Sequence, residues 1–192
     1  MKPYWALNKS VILILLLLTT SKTIADDISG HIGGFAGLKI LDSGDWPELN
    51  THFAMGILFD IKKDSWPVSV ALDIFDTGGE YKHDGVKDLG HTTEYQLGIR
   101  KIFANQYPKI QPYVGGGVSF LSAEQEYQDT ITIMTQDDRG VGGWFGVGMY
   151  YEINPKFVLG LDARYSYGKV TLFDKELDAG GLHTGLTAGY QF

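Results

Sequence analysis

Phe157-Val158-Leu159-Gly160-Leu161-Asp162-Ala163-Arg164-Tyr165-Ser166-Tyr167-Gly168 is the stretch that decides the fold. Side chains of an extended chain alternate between two faces with a period of two. The odd positions are Phe157, Leu159, Leu161, Ala163, Tyr165 and Tyr167. The even positions are Val158, Gly160, Asp162, Arg164, Ser166 and Gly168. One face is apolar and ends in tyrosines; the other is small or charged. A strand with these two faces separates an apolar medium from a polar, crowded one.

The same division recurs along the chain. At the C-terminus Leu182, Thr184, Leu186, Ala188, Tyr190 and Phe192 oppose His183, Gly185, Thr187, Gly189 and Gln191. Phe145, Val147, Met149, Tyr151 and Ile153 oppose Gly146, Gly148, Tyr150 and Glu152. Tyr95, Leu97 and Ile99 oppose Glu94, Gln96, Gly98 and Arg100; Val68, Val70, Leu72 and Ile74 oppose Ser69, Ala71 and Asp73. Phe53, Met55, Ile57, Phe59 and Ile61 oppose Ala54, Gly56, Leu58 and Asp60. Two glycine-rich segments, Ile28 to Leu41 and Pro112 to Leu121, complete a set of eight strands of about ten residues, the length a tilted strand needs to cross a bilayer.

The connections alternate in length. Residues 42–50, 75–91, 122–141 and 169–179 read as long polar loops, and 62–66, 104–110 and 154–156 as short turns. Long loops on one side and short turns on the other mark an outer-membrane barrel, with both termini on the periplasmic side. The expected fold is all-β: an eight-stranded antiparallel up-and-down transmembrane β-barrel. A soluble barrel is the competitor, with its apolar face inward. Volume argues against it, because an eight-stranded barrel has room only for close-packed side chains, and the small residues lie on the polar face. Aromatics gather at strand ends as two girdles: Trp66, Phe103, Tyr151, Phe157, Tyr190 and Phe192 near the turns, and Phe53, Phe120, Trp144, Tyr165 and Tyr167 near the loops.

Residues 1–25 read as a signal peptide. Lys2 and Lys9 precede an apolar run from Val11 to Leu18, and Thr23-Ile24-Ala25 supplies a small-residue cleavage site. Eight strongly apolar residues are too few to span a bilayer as a helix, which takes about 20. Residues 26–192 form the barrel domain. The chain has no cysteine, so a disulfide framework and a thiolate metal site are excluded. A net charge of −7 argues against nucleic acid as a partner. Glycine (25 residues) and aromatics (13%) are both frequent, which suits a β protein with tight packing.

The terminal Tyr190-Gln191-Phe192, preceded by alternating apolar residues, resembles the C-terminal signal of bacterial outer-membrane barrels. Gln111-Pro112-Tyr113-Val114-Gly115-Gly116-Gly117 and Tyr150-Tyr151-Glu152-Ile153-Asn154-Pro155-Lys156-Phe157 resemble the small OmpA/OmpX-like barrels. The resemblance implies location in the outer membrane of a Gram-negative bacterium, and recognition of Tyr190 and Phe192 by the barrel assembly machinery. It does not imply one activity, since such barrels include structural proteins, adhesins and lipid-modifying enzymes.

Parity turns His31, Lys39, Asp60, Asp73, Glu94, Arg100, Glu152, Asp162, Arg164 and His183 toward the lumen. Buried charges are costly unless paired, so a lumen-filling charge network is the expected role. A narrow pore is the alternative. Arg164 is expected to pair with a carboxylate on a neighbouring strand, with Glu152 a candidate that its height near the turn disfavours, and Asp162 is placed to meet His183 on the other side. Catalysis lacks support. The outward faces carry almost no Ser, His or Asp, Ser166 and His183 both turn inward, and no His-x-Ser arrangement of the lipid A deacylase kind occurs. Asp76-Thr77-Gly78 matches the aspartic-protease tripeptide, but that chemistry needs two aspartates sharing a proton, and only one copy exists. Glu80, His83, Asp84, Asp88 and His91 fit no metal-ligand spacing and read as a solvated loop. No cofactor and no metal are expected. Most of the 23 acids lie in the four long connections, while Lys62, Lys63, Lys101, Lys109 and Lys156 lie at the turns. Such an acidic rim repels lipopolysaccharide unless Mg²⁺ or Ca²⁺ bridges the two. The sequence thus reads as a non-enzymatic barrel with a structural or adhesion-like surface role, among outer-membrane lipids and lipopolysaccharide and with a surface ligand it does not name. A small channel is second and a lipid-modifying enzyme third.

Overall fold

The computed structural model describes residues 27–83, 86–103, 109–128 and 133–192. The segment 1–25 assigned to export lies outside them, as does most of the turn 104–110. The described chain forms ten strands: β1 (Ile28–Ile40), β2 (Thr51–Lys63), β3 (Ser69–His83), β4 (Val86–Ile102), β5 (Ile110–Gln128), β6 (Ile133–Asn154), β7 (Phe157–Tyr167), β8 (Lys169–Leu172), β9 (Lys175–Asp178) and β10 (Gly181–Gln191). Eight of them close an antiparallel barrel in the order β1-β10-β7-β6-β5-β4-β3-β2, and β8 and β9 form a separate hairpin. Closure leaves no sheet edge within the bilayer, where unpaired backbone groups would be costly.

The seam between the first and last barrel strands runs from Ile40 opposite Leu182 to His31 opposite Gln191. It extends to the last residue: the Phe192 amide donates to the Gly30 carbonyl at 3.0 Å, and the Gly30 amide donates to the Phe192 carbonyl at 2.9 Å.

The decisive stretch orients as its pattern requires. Leu159 and Leu161 are each 48% exposed, whereas Val158 between β6 and β10 is 3% exposed. Around the barrel Met55, Leu72, Leu97, Ile99, Val118, Phe145, Val147 and Leu186 form the same outward band. So continuous an exposed apolar surface is a membrane-facing surface. Trp66, Phe103, Tyr151, Phe157, Tyr165 and Tyr167 are also exposed, toward the ends of this band.

Three sequence expectations are corrected. The connections 75–91 and 122–141 are mostly strand: β3 runs on to His83 and β4 starts at Val86, while β5 runs to Gln128 and β6 starts at Ile133. β2 leaves β3 at Gly78 and β7 leaves β6 at Gly143, so beyond these points β3 to β6 continue as an open four-stranded wall. Both faces of this wall are mostly polar, so the apolar alternation that marks the lower strands fades there. The connection 169–179 is the β8–β9 hairpin. Trp144 is not a girdle residue: it is buried in the lumen, at an even position of β6.

The lumen also holds aromatic rings. Phe35, Phe75, Tyr113, Trp144 and Tyr150 all turn inward and are buried. Glycine on an adjoining strand makes room for several of them. A Cβ on Gly56 of β2 would lie 2.7 Å from Cδ1 of Phe75, and one on Gly185 of β10 would lie 2.7 Å from Cζ of Phe35. These are sub-van-der-Waals distances, so the glycines are a packing requirement of the rings.

Candidate functional site

Between the rings lies a chain of charged side chains that crosses the lumen from end to end. At the turn end His31 stacks on Tyr150 with ring centroids 4.8 Å apart, and its Nδ1 lies 3.2 Å from Oδ1 of Asp60. Arg100 donates from Nη1 to Asp60 at 2.8 Å and to the Tyr150 hydroxyl at 3.2 Å, and from Nη2 to Asp73 at 2.6 Å. Asp73 also accepts from Arg164 Nη1 at 2.7 Å, so one carboxylate bridges two guanidinium groups. Arg164 further donates to Gln96 at 2.9 Å, and its cation lies 4.5 Å over Phe75 and 5.3 Å over Trp144. Tyr113 donates its hydroxyl to Asp162.

Toward the loop end the centre is Glu94. Its carboxylate accepts from Lys39 at 2.6 Å, Gln96 at 2.8 Å, Ser166 at 3.1 Å and Ser119 at 3.3 Å, with His183 Nε2 at 3.1 Å. Lys39 completes its shell with Thr92 and the Ala179 carbonyl, each at 2.7 Å. Thr92 meets Thr77 at 2.8 Å, and Thr77 lies 3.3 Å from His52 Nδ1. Every ion in this chain of contacts is partnered, as burial demands.

Of the residues singled out in the sequence, Lys39, Asp60, Asp73, Glu94, Arg100, Asp162, Arg164 and His183 come together in this network. Glu152 does not: it is half-buried near the turn end, opposite Val158, and forms no ion pair among the described residues. Arg164 therefore meets Asp73 and Asp162 and not Glu152, and Asp162 stands opposite Gly185 while His183 stands opposite Arg164 and reaches Glu94. The expected partners are those of adjoining strands, but an inward arginine is long enough to cross to β3.

The loop end is closed by an apolar plug that sequence reading missed. Leu41, Trp46 and Leu49 pack with Leu121, Ala123, Val170, Leu172, Leu177 and Ala179. Trp46 donates its indole N–H to the Asp178 carbonyl at 2.8 Å, and the Asp178 amide donates to the Asp45 carboxylate at 2.8 Å. Lys39 reaches Ala179 from below and ties the plug to the charge network. The turn end differs: a cavity of about 370 Å³ opens there, walled by His31, Asp60, Lys62, Ser69, Gln111 and Gln191.

The acids and histidines of the wall are partnered separately. Glu80 pairs with Lys82 and, at 3.1 Å, with Lys87, contacts that hold its carboxyl below the usual range. Gln125 donates to Asp88 at 3.1 Å. His91 lies 3.0 Å from Asp76 on the outer wall, beyond the apolar band that ends at Tyr95, and this hydrogen bond holds its imidazole pKa above the ordinary value. Of the other residues weighed as metal ligands, the side chain of His83 and all of Asp84 lie outside the described residues. No three acid or histidine side chains among the described residues converge as a metal site.

A closed barrel with an apolar outer band, exposed aromatic side chains and a lumen filled by polar groups and rings defines an integral outer-membrane β-barrel. The chain belongs to the outer membrane protein beta-barrel domain family, whose model matches residues 11–192. That family places it in the Gram-negative outer membrane. Among solved structures it is similar to a major outer membrane protein of Thermus thermophilus (12% identity, TM-score 0.62, covering 86% of this chain and 99% of that one). It is also similar to the N-terminal β-barrel domain of Pseudomonas aeruginosa OprF (18%, TM-score 0.53, 85% and 97%). A third is Ail, the attachment invasion locus protein of Yersinia pestis, in complex with the heparin analogue sucrose octasulfate (14%, TM-score 0.55, 86% and 98%). At these identities the likeness is one of fold. Among curated proteins none matches the sequence.

Proposed function

We propose that this barrel is a non-conducting, non-enzymatic outer-membrane protein, whose lumen is a structural core and whose loop end is a surface for interaction. The observation that carries the reading is the continuity of the lumen filling. Ion pairs and hydrogen bonds link His31 at one end to His52 at the other, and the plug around Trp46 covers them. Conduction needs binding weak enough for an ion to leave and a path for it to follow. A row of mutually neutralised ions, each anchored to two or more partners, offers neither. The four-stranded wall that β3 to β6 raise above the band supplies the interaction surface, and its exposed position suits an adhesion-like role.

In this reading the loop end faces the cell exterior and the turn end the periplasm. Lipids surround the apolar band. Lipopolysaccharide approaches the acidic loop end through bridging Mg²⁺ or Ca²⁺. Tyr190, packed edge-on against Phe157 at 5.7 Å, and Phe192 serve as the signal for the assembly machinery; deletion of Phe192 is expected to reduce insertion and leave periplasmic aggregate. The test of function is a deletion strain. Unchanged envelope permeability to small solutes with altered surface binding supports the reading. A permeability defect restored by the wild-type gene favours the channel, and a mass shift of lipid A on expression favours an enzyme.

A further inference from the structure

The β8–β9 hairpin turns through Phe173 and Asp174, whose φ angles are 50° and 59°. Tight hairpins that need two consecutive positive φ angles normally place Asn-Gly or Asp-Gly there. A phenylalanine in the left-handed region is strained, and strain held at an exposed site calls for a functional reason. The Phe173 ring gains no core in return: it is 41% exposed.

Its neighbours extend the patch. The Phe173 amide donates to the Gln136 side chain at 2.6 Å, which fixes the turn against β6. Two residues along the same face of β6 stands Met134, 50% exposed, and opposite Met134 on β5 stands Tyr127, 39% exposed. A ring, a thioether and a phenol thus share the loop end above the plug, well beyond the membrane band. Aromatic residues and methionine are the side chains enriched where proteins bind one another. On the face that carries Met134 and Tyr127, and on the hairpin beside it, acids outnumber bases: Asp88, Asp138, Asp174 and Glu176 stand against Lys169 and Lys175. An anionic partner is repelled by such a rim, and a cationic one is drawn to it.

The geometry points to a docking surface formed by Phe173, Met134 and Tyr127 for a basic protein segment that carries apolar side chains. The inference rests on the surface-interaction reading above and names the chemistry of its partner. The apolar side chains of the segment cover the three exposed groups, and its lysines or arginines face the acidic rim.

The test uses the full barrel in zwitterionic lipid nanodiscs and a fluorescein-labelled peptide of four Lys-Phe repeats, with Glu-Phe and Lys-Ser repeats as comparisons. Binding read by anisotropy is expected for Lys-Phe alone, weakening as salt is raised. Phe173→Gly is expected to weaken it about tenfold or more. Because glycine accepts a positive φ, this variant should unfold at the same temperature as the parent or a higher one, which separates loss of a contact from loss of fold. Met134→Ser should weaken binding in the same direction. Binding by both variants as tight as the parent's, or Glu-Phe binding as tightly as Lys-Phe, would overturn the proposal. Failure of the parent to bind Lys-Phe would also overturn it, while leaving the non-conducting lumen to be judged by conductance.

Discussion

Arg164 and Asp162, two residues apart on β7, are joined by two hydrogen bonds, Nε to Oδ1 and Nη2 to Oδ2, each 2.7 Å long. This fork leaves Nη1 free to cross the lumen to Asp73. Removing the guanidinium would strand two carboxylates in a space with little water. Breaking a buried pair from one side costs about 3–5 kcal/mol. Arg164→Ala should therefore lower the urea midpoint of the barrel markedly, read by the mobility shift of folded protein. Arg164→Met combined with Asp162→Asn should recover part of the loss. An unchanged midpoint in Arg164→Ala would show that the arginine is not structural.

Glycine in the barrel is expected to matter by position rather than by number. At Gly56 a methyl group would collide with the Phe75 ring, whereas at Gly34 it would meet nothing within 4 Å. Overpacking a close-packed interior costs about 1–3 kcal/mol. Gly34→Ala should be neutral or stabilising by up to about 1 kcal/mol, through the unfolded chain. In thermal unfolding Gly56→Ala should be destabilised and Gly34→Ala should not. Equal effects would remove the steric explanation.

The contrast between these glycines shows what a sequence can and cannot say. Parity in Phe157–Gly168 is legible because Leu159 and Leu161 face lipid on every turn of the pattern. Lumen contacts are not, because parity assigns a face but not a partner across the barrel. Arg164 and Asp73 lie on strands that are not neighbours, so no pairing rule along the sheet brings them together. Phe75 and Trp144 escape for related reasons. Phe75 falls at the edge of a stretch that reads as loop. Trp144 stands close to a strand end, which suggests a girdle, although its even position turns it inward. The strands at 76–92 bury one face, but its positions are Thr77, Gly79, Gly90 and Thr92 rather than apolar residues, which removes the apolar alternation that identifies a strand. The plug is hidden because its residues stand singly in polar connections: Trp46 and Leu49 in one, Val170, Leu172 and Leu177 in another.

His91 should give a modest dependence on pH. Its hydrogen bond to Asp76 raises the imidazole pKa, so the protonated form is favoured in the folded state. The stabilisation is full below the ordinary histidine value of about 6.5 and fades as pH rises through the higher folded value. Both side chains are largely exposed, so solvent limits the effect to a few tenths of a kcal/mol. In an NMR titration the His91 midpoint should lie above that of a free imidazole, and Asp76→Asn should bring it down. A midpoint that ignores Asp76→Asn would dismiss the pair.

The most direct measurement is single-channel recording from the purified, folded barrel in a planar bilayer at neutral pH. With the lumen held by Asp60, Arg100, Asp73, Arg164, Glu94 and Lys39, and covered by the plug around Trp46, the expected trace is flat at either polarity. Reproducible unitary steps, with an ion selectivity that Arg164→Ala changes while the urea midpoint stays where it was, would contradict the structural lumen and make the barrel a channel.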